Sequence, residues 1–214
     1  DSVKSRGLGD VYKRQDTVVY KGLVMPSEFD SFYTDLSDTS HRTASVMFHI
    51  RFSTNTSPKW HLAQPYRVIA HNGEINTISG NRNWALARMN NLSSKRFGNM
   101  RKYQPLVNQS GSDSSSLDNM IEVLKEGGVN IGRAARMLIP PSWQNTDLMD
   151  SDEKAFHEYN SMHMEAWDGP ALICFQDKNF LSCFLDRNGL RPAKIEFFND
   201  ETVCISSEFG SNND

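Results

Sequence analysis

ALICFQDKNFLSCFLDRNGLRPAKIEFFNDETVCISS, residues 171–207, breaks into four short strand-like segments separated by turn residues. They are ALICFQ (171–176), FLSCFLD (180–186), AKIEFF (193–198) and TVCISS (202–207). The first two are apolar at successive positions, which predicts strands covered on both faces. Upstream the pattern turns helical. In LDNMIEVLKEGG (117–128), Leu117, Met120, Ile121 and Leu124 fall at i, i+3, i+4 and i+7, and Gly127-Gly128 stops the helix. A helix is predicted over Gly80–Met89 and a shorter one over 130–138, before Pro140-Pro141. Another is predicted over Asp152–Trp167, with Phe156, Tyr159, Met162 and Ala166 along one face.

Nearer the N-terminus, TVVYKGLVMP (17–26) is β-branched and closed by Pro26. SEFDSFYTDLSD (27–38) reads as a short helix or turn. ASVMFHIRF (44–52) and YRVIA (66–70) read as buried strands, and NQSGSDSSS (108–116) as a polar loop. Strands early, helices in the middle and hairpins late predict an α+β fold. Residues 1–15 show little apolar content and read as a tail, leaving one domain over 16–214.

The chain has 214 residues and 38% hydrophobic content, enough for a substantial core and against disorder. A formal net charge of −3 gives no sign of a nucleic-acid or membrane-surface partner. No apolar run approaches a membrane span and no signal peptide stands out. The three cysteines, Cys174, Cys183 and Cys204, are widely spaced in apolar runs. That is no disulfide framework; it predicts buried thiols and a cytoplasmic location. No metal site is expected: His157 and His163 are six residues apart, and His61 and His71 have no ligand pattern.

Three polar clusters end predicted core elements, where a rigid scaffold holds loops in place. In Arg51-Phe52-Ser53-Thr54, the planar fork of Arg51 suits a carboxylate and Thr54 adds a hydroxyl donor, though an internal salt bridge also fits. In His71-Asn72-Gly73-Glu74, Asn-Gly reads either as a hairpin turn or as an oxyanion hole. The hole would combine the Asn72 amide with the Gly73 N–H. In Gly111-Ser112-Asp113, Asp113 is either an ordinary helix cap or the partner of a ligand ammonium group. Together the three suggest a site for an α-amino acid with a side-chain amide.

RFSTNT (51–56), W-x-L-A-x-P-Y-R (60–67), IAHNGEINT (69–77) and GNRNWALAR (80–88) resemble the class-II glutamine amidotransferase domain of glutamate synthase large subunits. So do GSDSSSLDN (111–119), MLIPPSWQN (137–145), MEAWDGPA (164–171) and LDRNGLRPAK (185–194). The resemblance covers roughly residues 17–210. It implies an N-terminal-nucleophile hydrolase fold: an αββα sandwich of two antiparallel sheets between helix layers, here incomplete at the N-terminus. It further implies that an N-terminal Cys, with its own α-amine as base, attacks the glutamine side-chain amide.

By motif position, Arg51 would hold the glutamine α-carboxylate, with Thr54 nearby, and Asp113 the α-ammonium. Asn72 and Gly73 would form the oxyanion hole. Ammonia would pass to other domains of the same polypeptide, which carry FMN and an iron–sulfur cluster and make glutamate from 2-oxoglutarate. Electrons would come from a small donor subunit or ferredoxin. Residue 1 is Asp and no Cys precedes Cys174, so this chain by itself is expected to lack glutaminase activity. Two alternatives are an amidophosphoribosyltransferase-like enzyme, which shares a DRNGLRP-like element, and a non-catalytic glutamine-binding pseudo-amidotransferase.

Overall fold

The computed structural model describes residues 9–13, 17–53, 57–95 and 97–208. It is a mixed helix and sheet structure in which the chain forms two compact units. One unit holds the described residues up to Ala70 together with Cys174–Leu181; the other holds His71–Ile173 and the described residues from Ser182 onward.

In the first unit, β1 (Gly9–Lys13) pairs antiparallel with β2 (Val18–Gly22), with Val11 opposite Tyr20. Part of the stretch expected to be a tail is therefore a strand. Its partner supplies the ladder hydrogen bonds that no sequence period announces. The short helix α1 (Phe29–Phe32) lies between two 3-10 turns, in line with the aromatic spacing at 29–36. Tyr33 just after it is buried, with the rings of Tyr20, Phe29 and Phe32 edge-on around it at 4.8–5.2 Å. Lys21 is buried as well. Its ammonium donates to the carbonyl of His61 and sits 4.4 Å from the centre of the Tyr66 ring, so the charge is not left bare.

Residues 45–52 depart from the expected buried strand. They form no assigned strand, and Val46, Phe48 and Ile50 are each more than 60% exposed while Ser45, Met47 and His49 are half-buried. The period of two is strand-like, but a strand also needs a ladder partner, which hydrophobicity does not supply. Gln176 Nε2 donates to Ser45 Oγ at 3.0 Å. The segment lines an open cavity of about 730 Å³ together with β2 and residues 63–67.

The strand expected at 66–70 lies instead at Ile69–Gly73, as β3. It joins β6 (Ala171–Gln176) and β7 (Leu181–Leu185) in a three-stranded sheet of order β3-β6-β7. Ile69, Ile173 and Phe175 are among its fully buried side chains. β8 (Lys194–Phe197) and β9 (Val203–Ser206) form a separate antiparallel pair. Two-residue strands β4 (Ser93–Ser94) and β5 (Gly98–Asn99) form another. The four late strands thus appear where the alternation of apolar runs and turns predicts them. Their three cysteines are free thiols, half-buried rather than fully buried.

The helices of the second unit are α2 (Ile78–Arg88), α3 (Asp113–Glu126), α4 (Ile131–Leu138) and α5 (Ser151–Ser161). Ser112, Asn130 and Asp150 cap α3, α4 and α5 by accepting backbone N–H bonds in the first turn. The helix α3 starts earlier than its apolar period suggests, and Ser114, Ser115 and Ser116 are helical and buried. Their hydroxyls are satisfied locally: Ser115 Oγ donates to Ser112 O and Ser116 Oγ to Asn108 O, both at 2.7 Å. The helix α5 ends at Ser161, short of the predicted Trp167. Residues 166–170 are instead drawn into backbone bonds with distant segments, beginning with Trp167 N to Leu138 O at 2.7 Å.

Candidate functional site

The site is built on β3, which ends in His71-Asn72-Gly73. Asn72 and Gly73 lie within the strand, and the chain runs on through 74–77 into α2; the hairpin-turn interpretation of Asn-Gly is therefore excluded. Gly73 has φ +144°, and a Cβ there would lie 2.0 Å from Pro170 O and 2.7 Å from Ala171 Cα. Only glycine permits that approach. Gly169 answers it from the facing segment, with φ +157° and a Cβ position 1.9 Å from Glu74 O. Between them Glu74 N donates to Pro170 O (3.1 Å) and Asn76 N to Asp168 O (2.7 Å), while Asp168 N donates to Thr77 Oγ1 (3.0 Å). The HNGE and WDGP segments thus interlock backbone to backbone.

Asp113 is the first residue of α3; the cap itself is Ser112. Its carboxylate accepts from Ile75 N (2.8 Å) and Ser114 N (2.7 Å). It therefore ties the helix start to the residues just after Gly73. Oδ1 also takes the Ser114 hydroxyl at 3.4 Å, and the second acceptor direction of Oδ2 is left for a ligand donor. Arg82 of α2 adds a second tie: Nε donates to Ser116 Oγ (3.1 Å) and Nη2 to Gly111 O (2.7 Å). Asn81 Nδ2 donates to Ala166 O (3.0 Å), and Arg88, over the ring of Trp84, pairs with Glu165.

The remaining contacts come from segments flanking the last strands. Asn72 Nδ2 donates to Ser207 Oγ at 2.7 Å and lies 3.5 Å from Glu208 Oε1. Arg191 Nη2 holds the same Glu208 oxygen at 3.2 Å. The 186–191 loop that carries Arg191 is organised by Asp186, which is only 6% exposed. Its carboxylate accepts from the backbone N–H groups of Ala171 (2.9 Å), Asn188 (3.0 Å), Leu190 (3.1 Å) and Arg191 (3.0 Å). Burial pushes this carboxyl up, but the four donors more than offset it and hold it below the ordinary carboxylate range. Since Ala171 also packs against Gly73, Asp186 supports the site from two directions.

Of the predicted site residues, Asn72, Gly73 and Asp113 come together in the second unit, linked through residues 74 and 75. Arg51 belongs to the first unit, where it is exposed and lines the 730 Å³ cavity. No carboxylate among the described residues pairs with its guanidinium, so the internal salt bridge is not formed there. Thr54 lies outside the described residues. The supporting set Asp168, Gly169, Asp186, Arg191, Ser207 and Glu208 carried no assigned role in the sequence. Two signals could have found part of it: the glycine in WDGPA and the acid opening the DRNG turn. No His, Cys, Asp and Glu grouping suited to a metal ion occurs among the described residues, and none of the described helices is long and apolar enough to cross a membrane.

Comparison with known proteins agrees with this geometry. A family model described as glutamine amidotransferases class-II matches residues 12–213, starting a few residues before the domain boundary expected at 16. The chain is 46% identical over 195 residues to the glutamate synthase [NADPH] large chain of Bacillus subtilis, covering 91% of this chain and 13% of that one. It is 42% identical to glutamate synthase [NADH] of Schizosaccharomyces pombe, covering 92% of this chain and 9% of the relative. It is 41% identical to the ferredoxin-dependent glutamate synthase of Cyanidium caldarium, covering 91% and 13%. The chain thus spans about a tenth of the length of these relatives. With nearly every residue inside the family match and its motifs interlocked around Asn72 and Gly73, the chain belongs to the class-II glutamine amidotransferases.

Proposed function

We propose that this chain is the glutamine-hydrolysing part of a glutamate synthase, releasing ammonia from the glutamine side chain for glutamate formation from 2-oxoglutarate elsewhere in a longer polypeptide. The observation that carries it is the interlock of Gly73 and the residues just after it with the 168–171 segment, with Ile75 tied to Asp113 at the start of α3. Donors for an oxyanion act best when they are fixed before charge develops, and one such donor lowers a barrier by about 3–4 kcal/mol. In the proposed reaction a thiolate attacks the amide carbon, and its oxygen becomes the oxyanion held by the Asn72 amide and Gly73 N–H. Ammonia departs and water then releases glutamate from the thioester.

Asp113 is assigned to the glutamine α-ammonium, and Arg51, with Thr54 nearby, to its α-carboxylate. The half-buried carboxylate of Asp113 supports the first assignment; the RFSTNT motif alone supports the second. The nucleophile is none of the chain's three cysteines. Each sits inside a strand, in β6, β7 and β9, where no α-amine can act as base. The proposal therefore takes its thiolate from outside these 214 residues. The finer fold, two antiparallel sheets sandwiched between helix layers, is part of the same proposal and rests on family membership.

FMN and the iron–sulfur cluster belong, in this proposal, to other domains of the polypeptide. The three cysteines on separate strands are no cluster-binding set. The electron donor is likewise placed elsewhere, since the relatives' names specify NADPH, NADH and ferredoxin at similar identity to this segment. Isothermal titration of the chain with glutamine tests the proposal. The chain is expected to bind glutamine, and Asp113→Ala to weaken binding about tenfold or more through loss of a charge-assisted contact. Equal affinity in the two proteins would remove Asp113 from the site, and no binding by the folded chain would remove the proposal.

A further inference from the structure

An asparagine amide presents its oxygen and nitrogen in nearly equivalent positions, and a flip exchanges donor for acceptor. Only one orientation serves an oxyanion. In this chain the amide nitrogen of Asn72 faces Ser207 Oγ at 2.7 Å and Glu208 Oε1 at 3.5 Å. The contact to Glu208 is long, so the hydrogen on that side can be shared with a substrate oxygen. Ser207 cannot select the orientation, because a hydroxyl both donates and accepts. Glu208 can: an ionised carboxylate only accepts, so it attracts the amide N–H₂ and repels the amide oxygen. Arg191 keeps it in place at 3.2 Å, and Asp186 in turn fixes the Arg191 backbone at 3.0 Å. Ser206 Oγ also donates to the Glu208 carbonyl at 2.9 Å, anchoring the second residue after β9.

We infer that Glu208, pinned by Arg191, is a positioning residue: its negative charge sets the orientation of the Asn72 amide so that the nitrogen is presented to the oxyanion. This rests on the assignment of Asn72 to the oxyanion hole. The mechanism is electrostatic and so predicts a charge series. Glu208→Asp keeps kcat near wild type. Glu208→Gln removes the preference, leaving about half the molecules competent and lowering kcat about twofold. Glu208→Lys reverses the preference and lowers kcat about tenfold or more. KM for glutamine stays constant throughout, because the oxyanion exists only beyond the ground state.

Two measurements test it. The first is ammonia release from glutamine by the glutamate synthase polypeptide carrying this domain, with Asn72→Ala beside the Glu208 series. The expected result is an Asn72→Ala loss of about 10²–10³ in kcat, with the Glu208 variants ordered by charge. An Asn72→Ala loss with a flat Glu208 series would overturn the positioning role and leave the oxyanion assignment standing. Full activity in Asn72→Ala would overturn both. The second is NMR on this chain, needing no activity. The Asn72 side-chain N–H₂ should show a nuclear Overhauser contact to the Ser207 β-protons in wild type and lose it in Glu208→Lys. Absence of that contact in wild type, or its persistence in a folded Glu208→Lys protein, would refute the inference even if one variant failed to fold.

Discussion

Replacing Asp186 is the sharpest available perturbation, because one side chain organises four backbone donors. Asp186→Ala removes the acceptor for Ala171, Asn188, Leu190 and Arg191 at once. Hydrogen bonds to a charged group contribute about 1.5–3 kcal/mol each, but bonds sharing one acceptor do not add. The donors also differ in what replaces the carboxylate. Asn188 is exposed and can turn to water, whereas Ala171 is 1% exposed and its N–H would be orphaned. Orphaning one buried donor costs about 1–3 kcal/mol. The loss expected for Asp186→Ala is therefore about 3–5 kcal/mol, a large share of a typical domain's 5–15 kcal/mol. Asp186→Asn keeps one acceptor oxygen but turns an N–H₂ toward backbone donors, and should cost about 2–4 kcal/mol.

Urea unfolding at neutral pH gives both numbers, provided m is unchanged. Acid titration supplies a second check. The Asp186 carboxyl is held below its ordinary value in the folded chain, so its stabilisation is complete above the unfolded-state value near 3.9 and is lost as pH falls through the folded value. The wild-type protein should lose stability more steeply than Asp186→Asn on that acid limb. A cost under about 1 kcal/mol for Asp186→Ala, or parallel acid limbs, would refute the reasoning about this cluster.

Gly73→Ala and Gly169→Ala should each cost about 3 kcal/mol or more, or prevent folding, since each combines a strained φ with a Cβ about 2 Å from a carbonyl oxygen. Gly80→Ala is the internal control. It sits in α2 with open space around it, and should raise the urea midpoint by about 0.5–1 kcal/mol of stability. His157 is 3% exposed, stacked on Trp143, and held below its ordinary value by burial and by Arg136, with Glu153 only partly opposing. The unfolded chain therefore takes up the proton first, and stability should fall as pH drops below about 6.5. In His157→Gln that decline in urea midpoint between pH 7 and 5 should flatten; an unchanged slope would remove His157 as its source.

Much of the fold was readable because local periods dominate where an element buries a regular face. The four late strands and the stop of α3 at Gly127-Gly128 follow from apolar runs, turn residues and a helix stop. Local pattern misled where burial was decided by partners. Ser114, Ser115 and Ser116 look like loop residues, yet become helical core because Asn108, Ser112 and Arg82 satisfy their hydroxyls. Val46, Phe48 and Ile50 look like core, yet no ladder is assigned to their segment. The helical period over 152–167 runs past the end of α5 because residues 166–170 bond to Leu138 and to the 74–77 segment instead of continuing the helix.

By itself, the sequence determined the family, because that resides in contiguous motifs such as IAHNGEINT and WDGPA. Tertiary structure alone decided how the motifs meet. Gly73 and Gly169 are about 96 positions apart in the chain, yet each accommodates a backbone carbonyl of the other's segment, a mutual requirement invisible in either motif. The acids and cation linked to the Asn72 amide, Glu208 through Arg191 to Asp186, likewise come from over a hundred residues away. Their charges matter through distance and burial, and neither quantity is written in the order of the residues.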